Sequence, residues 1–248
     1  MEKTINYLIE WIKNYVNQAH ANGVVLGMSG GKDSLICAKL CIEALGNDKV
    51  FGVIMPNGKM QDKDDAVRTC KLLNMPFTTI DISTASNSII ENVTLTLKDL
   101  NKNLTDVTTI NTPPRVRMTY LYAIGGSLNY LVANTSNLSE ISVGYSTKWG
   151  DSVGDFAPLA SFTKTEVCKI GRMLDLPIEL VEKIPSDGLS GKSDEEKMGL
   201  SYKNLDSYIR TGIKNEDYDQ IIRLNKITRH KRNPIAKFNN GLKNFLGE

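Results

Sequence analysis

The stretch that decides the fold is LGMSGGKDSLICAKL, residues 26–40. It places serines, glycines, a lysine and an aspartate between an apolar run and a helical pattern. Glycines let the backbone approach an anion, and a helix N-terminus supplies amide donors and positive potential. The sequence therefore predicts a phosphate-binding turn formed by Gly27, Met28, Ser29, Gly30, Gly31, Lys32, Asp33 and Ser34.

Two widespread phosphate loops do not fit this turn. A Walker A loop needs a glycine where Leu26 stands and a serine or threonine where Asp33 stands. The dinucleotide pattern G-x-G-x-x-G fails because Ser29 follows Gly27 by two residues. A carboxylate beside a phosphate is repulsive unless a cation lies between them, and Mg²⁺ held by a carboxylate and phosphates removes the conflict. The alternative is an ordinary glycine-rich turn, with Asp33 as a favourable acid in the first helical turn.

Strand and helix patterns alternate outward from this turn. Strands are predicted at 24–28, 50–55, 77–82, 131–135 and near 141–145. Helices are predicted at 33–45, 62–74, 84–100, 113–130 with Thr112 as N-cap, 163–174 and near 201–210. The alternation predicts an α/β fold: a doubly wound, mostly parallel five-stranded sheet with helices on both faces. We expect a single domain over residues 1–248.

Composition and charge limit the class of protein. With 41% hydrophobic residues, 23% charged residues and a net charge of +2, the chain is typical of a soluble protein without a nucleic-acid partner. The four cysteines form no pair or cluster, which fits a reducing cytoplasm. The N-terminus has helical periodicity and is interrupted by Glu10 and Lys13, so it is not a signal peptide. No run approaches the ~20 apolar residues that would span a bilayer, and no membrane partner is expected.

The turn S-G-G-x-D-S resembles the pyrophosphate loop of the ATP pyrophosphatase superfamily, whose fold is adenine nucleotide alpha hydrolase-like. Segments 111–118, 134–167, 184–206 and 229–238 closely resemble the NAD synthetase family. This resemblance implies ATP-dependent amidation of nicotinic acid adenine dinucleotide (deamido-NAD) to NAD⁺. The reaction would pass through an adenylate and release pyrophosphate and AMP. Since the chain has no room for the amidase domain of some members, free ammonia is the implied nitrogen source.

The resemblance also implies roles for individual residues. Asp33 and Glu140 match the magnesium ligands, and Thr135, Lys164 and Ser186 match positions that contact ATP. Asp151 matches the aspartate that orients or deprotonates the incoming amine, so the implied catalytic residues are Asp151, Lys164 and Asp33. Deamido-NAD would be held by Arg117, Lys148, Asp155, His230 and Lys231. The segment with His230 and Lys231 reaches the partner's site in family members, which implies a homodimer.

Elementary chemistry bears on several of these roles. A lysine at a helix start is locally unfavourable, which favours a phosphate partner for Lys164 over a solvated surface charge. General-base work by Asp151 requires a raised pKa. Segment 185–199 is either an ordinary mobile loop or a lid. Two positions depart from the family pattern: Asn134 stands where many members have glycine, and Asp187 stands where alanine is usual. Asn134 tolerates left-handed backbone, whereas Asp187 adds negative charge near Ser186.

Three rival functions remain at this stage. A tRNA thiolase of the same superfamily would carry a cysteine pair or cluster and a broad basic face. A GMP synthetase would bring a dimerisation domain for which the chain has no room. A nucleotide sensor with the same sheet would bind ATP without turnover, and it would not need Glu140, Asp151 and Lys164 together.

Overall fold

A four-stranded parallel sheet lies at the centre of the protein. The computed structural model describes residues 1–58, 63–182 and 193–238. In these residues the strands are β1 (Gly23–Gly27), β2 (Val50–Ile54), β3 (Phe77–Thr79) and β4 (Tyr130–Val132). Their order is β3-β2-β1-β4, and every pairing is parallel. Val25 at the centre of β1 pairs with Phe51 on one side and Val132 on the other.

Helices connect and cover the strands. Gly46 ends α2 as predicted, and Thr163 begins α7 with a capping box in which Glu166 reaches back to the Thr163 amide. No helix of the described ranges is both long and apolar enough to cross a membrane. The helices are α1 (Glu2–Gln18), α2 (Lys32–Leu45), α3 (Lys63–Leu72), α4 (Ser83–Asp99), α5 (Asp106–Leu128), α6 (Leu138–Val143), α7 (Lys164–Met173), α8 (Ile178–Val181), α9 (Asp194–Met198), α10 (Tyr202–Thr211), α11 (Tyr218–Ile227) and α12 (Arg229–Arg232).

The two faces of the sheet carry separate apolar cores, because successive strand residues point to opposite sides. Val24 and Leu26 of β1 pack with α1, α2, α3 and α7 on one face. Val25, between them, packs with Val116 and Leu121 of α5 on the other face. The predicted doubly wound α/β architecture is therefore confirmed. A third cluster, which includes Leu205, joins α6, α9, α10 and α11 beyond the sheet.

The predicted fifth strand near 141–145 is wrong. These residues form the end of α6 and the turn that follows. Asn137 caps the helix start and forms a capping box with Glu140, and Gly144 ends the helix in left-handed conformation. The β-branched residues of this stretch suggested a strand, but the capping residues on either side fix a short helix.

The predicted start of the fifth helix is also wrong. Thr105, rather than Thr112, caps α5, and Pro113 and Pro114 lie inside it. Each proline removes one helical amide donor. The Thr105 cap holds the first turn, and the Thr112 hydroxyl donates to the Thr108 carbonyl at 2.8 Å just before the prolines. The helix therefore continues through a position where proline usually marks a boundary.

Candidate active site

The topology creates a crevice at the carboxyl edge of the sheet. From β1 the chain proceeds outward to β2 and β3, and then returns so that β4 lies on the opposite side of β1. In open α/β sheets, ligands bind where the strand order reverses in this way. The phosphate-binding turn follows β1, and the segment containing Asn134 and Thr135 follows β4. The two segments meet where the Cys37 thiol lies 3.9 Å from the Asn134 carbonyl oxygen.

The turn after β1 has the backbone of an anion-binding loop. Gly30 has a φ of +81°, a left-handed conformation that favours glycine. Gly31 is the N-cap of α2 and contributes no side-chain cap, so the N-terminal amides of α2 face the crevice. Ser34 donates its hydroxyl to the Gly31 carbonyl at 2.9 Å, and its oxygen lies 3.2 Å from that of Ser29. This geometry suits a phosphate group.

Two residues of the turn have other partners. The Met28 amide donates to the Val53 carbonyl at 2.9 Å, which continues the sheet pairing. The Lys32 side chain is buried, and its ammonium donates to the Cys168 thiol at 3.6 Å. The Lys32 side chain is therefore directed between α2 and α7.

Three charged side chains converge beside the turn. The Lys164 ammonium lies 2.5 Å from the Asp33 carboxylate and 3.1 Å from that of Glu140. All three are largely buried, with side-chain exposures of 6% for Lys164, 18% for Asp33 and 15% for Glu140. The Asp33 Oδ1 atom is also buried, and it has no hydrogen-bond partner among the described residues. An acceptor left unpaired in this way is costly unless a ligand satisfies it.

Burial and mutual charge set the pKa values of this cluster. The pKa of Glu140 is raised to about 7: burial is the largest cause, Lys164 opposes it, and the Asp33 carboxylate adds to the rise. Burial alone would lower the pKa of Lys164, but the carboxylates of Asp33 and Glu140 outweigh it and hold that pKa well above its ordinary value. The Tyr202 ring, with its centroid 5.2 Å from the Lys164 ammonium, closes another side of the cluster. The lysine is therefore a firmly charged group.

A second group surrounds Asp151. Its Oδ1 accepts the Thr147 amide at 2.6 Å. The residue as a whole is exposed, but surrounding atoms desolvate its carboxylate, and this raises the pKa of Asp151. The Thr147 amide, Lys231 and Arg117 lower the same pKa by smaller amounts. Lys231 donates to the carbonyls of Gly144 and Ser146 in its own chain at 2.8 and 2.7 Å.

The other predicted dinucleotide residues fall into two environments. Lys148 and His230 line one surface pocket of about 530 Å³, together with Trp149 and the segment 233–236. Asp155 has both carboxylate oxygens engaged within the protein, accepting the Val132 amide at 2.7 Å and the Tyr122 hydroxyl at 3.3 Å. Asp155 therefore fixes β4 against α5.

Asn134 links the two groups. Its buried side-chain amide donates to the carbonyls of Asp151 and Val153 at 2.8 and 2.9 Å, and its Oδ1 accepts the Ser136 amide at 2.9 Å. Its backbone is not left-handed, so the conformational tolerance of asparagine does not explain the residue. A Cβ on Gly154 would lie 2.9 Å from the Asn134 Cβ, so glycine is required for this close approach.

The family model described as NAD synthase matches residues 4–242, nearly the whole chain. The chain belongs to the NAD synthase family. Curated proteins of this family are similar in sequence to the chain over most of their length. The chain is 40% identical to the NH(3)-dependent NAD(+) synthetase of Thermococcus sibiricus over 84% of this chain and 79% of that protein. It is 37% identical to the NH(3)-dependent NAD(+) synthetase of Archaeoglobus fulgidus over 95% of this chain and 97% of that protein. The expected family is confirmed, and it decides against the tRNA thiolase and GMP synthetase alternatives.

Solved structures of NAD synthase relatives have the same fold. The NMN synthetase of Francisella tularensis matches with a TM-score of 0.87 and 30% identity, over 96% of this chain and 98% of that one. The NH3-dependent NAD synthetase of Campylobacter jejuni matches with a TM-score of 0.77 and 26% identity, over the same shares. The fold class inferred from the sequence is therefore shared with solved members of the family.

The structure thus brings Asp33, Glu140 and Lys164 into one cluster. Ser186 and Asp187 lie outside the described residues, and so does most of segment 185–199. Tyr202 was not predicted as a site residue, although it lies inside a segment that resembles the family. The bridging role of Asn134 was not predicted either, although the departure of Asn134 from the family pattern was an available signal.

Proposed function

We propose that this NAD synthase uses ATP and ammonia to convert deamido-NAD to NAD⁺. The observation that carries the proposal is the Lys164 ammonium between Asp33 and Glu140, beside a turn suited to phosphate. Positive charge at this position stabilises a departing pyrophosphate, and fixed charge in a partly water-excluded site is the strongest aid that such a site offers. The family and the names of its curated relatives support the same reaction.

The proposed chemistry has two steps. An oxygen of the nicotinate carboxylate attacks the α-phosphorus of ATP, the α–β phosphoanhydride bond breaks, and pyrophosphate leaves. Ammonia then attacks the acyl carbon of the adenylate, loses a proton, and displaces AMP to form the amide. The turn of residues 28–34 would hold the pyrophosphate, with Thr135 and Ser186 as further contacts. Activation is required because joining a carboxylate to ammonia is uphill in water.

Asp33 and Glu140 would hold Mg²⁺. The fit rests on the buried Asp33 Oδ1, an oxygen acceptor without a hydrogen-bond partner among the described residues. Mg²⁺ commonly takes one or two carboxylates and completes its coordination with phosphate oxygens and water. The absence of any cluster of three metal-binding side chains in the described ranges is consistent with such a shared site. When bound, Mg²⁺ would neutralise phosphate charge beside Lys164.

Asp151 would attract ammonium and accept its proton. At neutral pH most ammonia is protonated, so a carboxylate can concentrate the cation and generate the nucleophile. The raised pKa of Asp151 brings this carboxyl closer to the range in which a general base works well. Arg117, on α5, faces Asp151 and donates to the Met55 carbonyl at 3.0 Å. Arg117 and Lys231 are cationic partners for the dinucleotide phosphates, and Lys148 and His230 offer a pocket for another part of it. Asp155 would contribute to deamido-NAD binding indirectly, by holding β4 in position.

Free ammonia is the proposed nitrogen source. The support is that the curated relatives are named NH(3)-dependent and are covered over 79% and 97% of their lengths by this chain. A single catalytic domain over the given residues is part of this proposal, and so is a cytoplasmic location, for which the free cysteines are suitable.

A homodimer is proposed on one observation. Apolar side chains around the turn between α4 and α5 are widely exposed, including Leu95, Leu100, Val107 and Ile110. Apolar surface concentrated in this way is typical of an interaction site, and a second copy of the chain would bury it.

A second candidate substrate deserves a direct test because the Francisella tularensis relative is an NMN synthetase. Nicotinate mononucleotide carries the same carboxylate as deamido-NAD and lacks the adenylate half. Purified protein should be supplied with ATP, Mg²⁺, ammonium and either nucleotide, and kcat/KM measured for each. The proposal expects a clear preference for deamido-NAD. A preference for the mononucleotide would transfer the same chemistry to NMN formation, and turnover of neither would reject the proposed function and favour a nucleotide sensor.

A further inference from the structure

A further acid, outside the charged cluster, contacts two of the three helices that supply the cluster, namely α6 and α7. Asp206 lies on α10 and is only 4% exposed. Its Oδ1 accepts the Ser139 hydroxyl in a short hydrogen bond, and its Oδ2 accepts the Thr165 amide at 2.8 Å. The Ser139 oxygen in turn accepts the Lys164 amide at 2.9 Å. One buried carboxylate thus satisfies the first two amides of α7, one directly and one through Ser139.

These hydrogen bonds hold the chain at Lys164 and next to Glu140, two residues of the charged cluster. Lys164 is the first residue of α7, and Ser139 immediately precedes Glu140 on α6. The direction of a helix start decides where its first side chains reach. A carboxylate at a helix N-terminus is also stabilised by the helix dipole, and hydrogen bonds to a charged acceptor are stronger than neutral ones. Asp206 therefore holds the backbones on which the Lys164 ammonium and the Glu140 carboxylate are mounted.

The same helix also touches the other end of the lysine. Tyr202 lies one turn before Asp206 on α10, and its ring faces the Lys164 ammonium at 5.2 Å. A separate contact docks α10 on α7: Arg210 donates to Glu166 at 2.8 Å and to the Ser161 carbonyl at 2.8 Å. Because this docking does not involve Asp206, loss of the Asp206 carboxylate is expected to leave the helix in place.

We propose that Asp206 is a positioning residue for ATP activation. It fixes the starts of α6 and α7 so that Lys164 and Glu140 meet Asp33 at the phosphate site. The inference rests on the proposed function of that site. A buried acid with a purely structural role would affect stability alone, whereas a positioning residue affects the ATP step in protein that remains folded.

The test compares Asp206→Asn with the matched variant Asp217→Asn. Asp217 is also an acid bonded to a helix N-terminus, since it accepts the Ser201 amide and the Asn204 side chain at 2.9 Å each, at the start of α10. In Asp206→Asn the amide nitrogen cannot accept one of the two hydrogen bonds. Kinetics are measured at a temperature where circular dichroism shows both variants folded. We expect Asp206→Asn to lose about tenfold or more in kcat/KM for ATP, because small misplacements of reacting groups carry such costs.

The KM for deamido-NAD should stay near the wild-type value in Asp206→Asn, and all parameters should stay near it in Asp217→Asn. A second readout is the rise in melting temperature on adding ATP and Mg²⁺, which should be smaller in Asp206→Asn than in wild type or Asp217→Asn. Should Asp206→Asn fail to fold, Ser139→Ala must show the same selective loss, because it removes the link from Asp206 to the Lys164 amide and leaves the bond between Asp206 and the Thr165 amide in place.

Equal kinetics and equal ATP-induced stabilisation in the two folded aspartate variants would overturn the inference while leaving the proposed function standing. If the wild type converts neither pyridine nucleotide, the proposed function fails, and the ATP-induced melting shifts alone decide the role of Asp206. A wild type that is not stabilised by ATP and Mg²⁺ would overturn both.

Discussion

Lys164→Met removes the cation from the buried cluster while keeping most of the side-chain length. Asp33 and Glu140 are less than one-fifth exposed, so solvent screens the remaining carboxylates poorly. Removing one partner of a buried ion pair costs about 3–5 kcal/mol of unfolding free energy. Glu140 can relieve part of this cost by binding a proton, since burial already raises its pKa to about 7. We therefore expect a loss of about 3 kcal/mol at pH 8.

The loss should shrink at pH 6. A carboxyl whose pKa is higher in the folded than in the unfolded state loses folding stability as pH rises through the folded pKa. Without Lys164 the folded pKa of Glu140 rises further, because the lysine was lowering it. At pH 8 the wild type then has a charged, paired Glu140, whereas the variant either protonates it or leaves it unpaired. At pH 6 Glu140 is mostly protonated in both proteins, and only Asp33 lacks its partner.

The assay is urea unfolding at pH 6 and pH 8, followed by circular dichroism, with Lys39→Met as the matched control. Lys39 pairs with Glu43 on the surface of α2, with side chains 26% and 41% exposed. Such an i,i+4 pair contributes about 0.2–0.5 kcal/mol. Adding Glu140→Gln to Lys164→Met should restore part of the lost stability at pH 8. The reasoning is refuted if Lys164→Met is as stable as the control at pH 8, or if its loss does not change with pH.

Four further predictions concern the site and the assembly. Asp33→Asn should abolish pyrophosphate release without changing the circular dichroism spectrum. Near-normal release would contradict the proposal that Asp33 is a magnesium ligand. Asn134→Ala should lower the free energy of unfolding by about 1–3 kcal/mol by leaving buried polar groups unpaired, and it should raise the KM for ammonium. An unchanged KM would show that Asn134 does not position Asp151 for ammonium. In wild type, the rate at constant free ammonia should rise with pH through the raised pKa of Asp151, and Asp151→Asn should remove that rise; a surviving rise would assign the base elsewhere. Leu95→Asp should shift the mass in light scattering from dimer to monomer, and an unaltered mass would exclude the α4–α5 surface as the interface.

The sequence predicts best where local signals and topology agree. The glycine-rich turn between β1 and α2 could be placed to within a residue or two, because strand, turn and helix each have strong signals there. The helix predicted over 163–174 agrees with α7 to within a residue at each end. The strand order, which places β4 beside β1 and creates the crevice, was not predicted from the sequence. The place of Lys164 at the phosphate site was implied only by the resemblance to the family.

Other features depended on contacts that no local pattern contains. The capping box at Asn137 outweighs the strand propensity of residues 141–145, and Thr105 begins α5 ahead of its two prolines. The Asp206–Ser139 hydrogen bond joins residues 67 positions apart, so only the folded chain reveals it. The two hydrogen bonds that the Asn134 side-chain amide donates likewise depend on the path of the turn at residues 151–153.

The central claim is that the cluster beside the turn directs ATP cleavage to amide formation on deamido-NAD. The most direct measurement follows ATP, deamido-NAD and ¹⁵N-labelled ammonium with Mg²⁺, and quantifies AMP, pyrophosphate and labelled NAD⁺ by mass spectrometry. We expect the three products to appear in equal amounts and all to depend on deamido-NAD, and we expect Lys164→Met to lower them by about 10²–10³-fold. Formation of ADP and phosphate, or cleavage of ATP without labelled NAD⁺, would contradict the central claim.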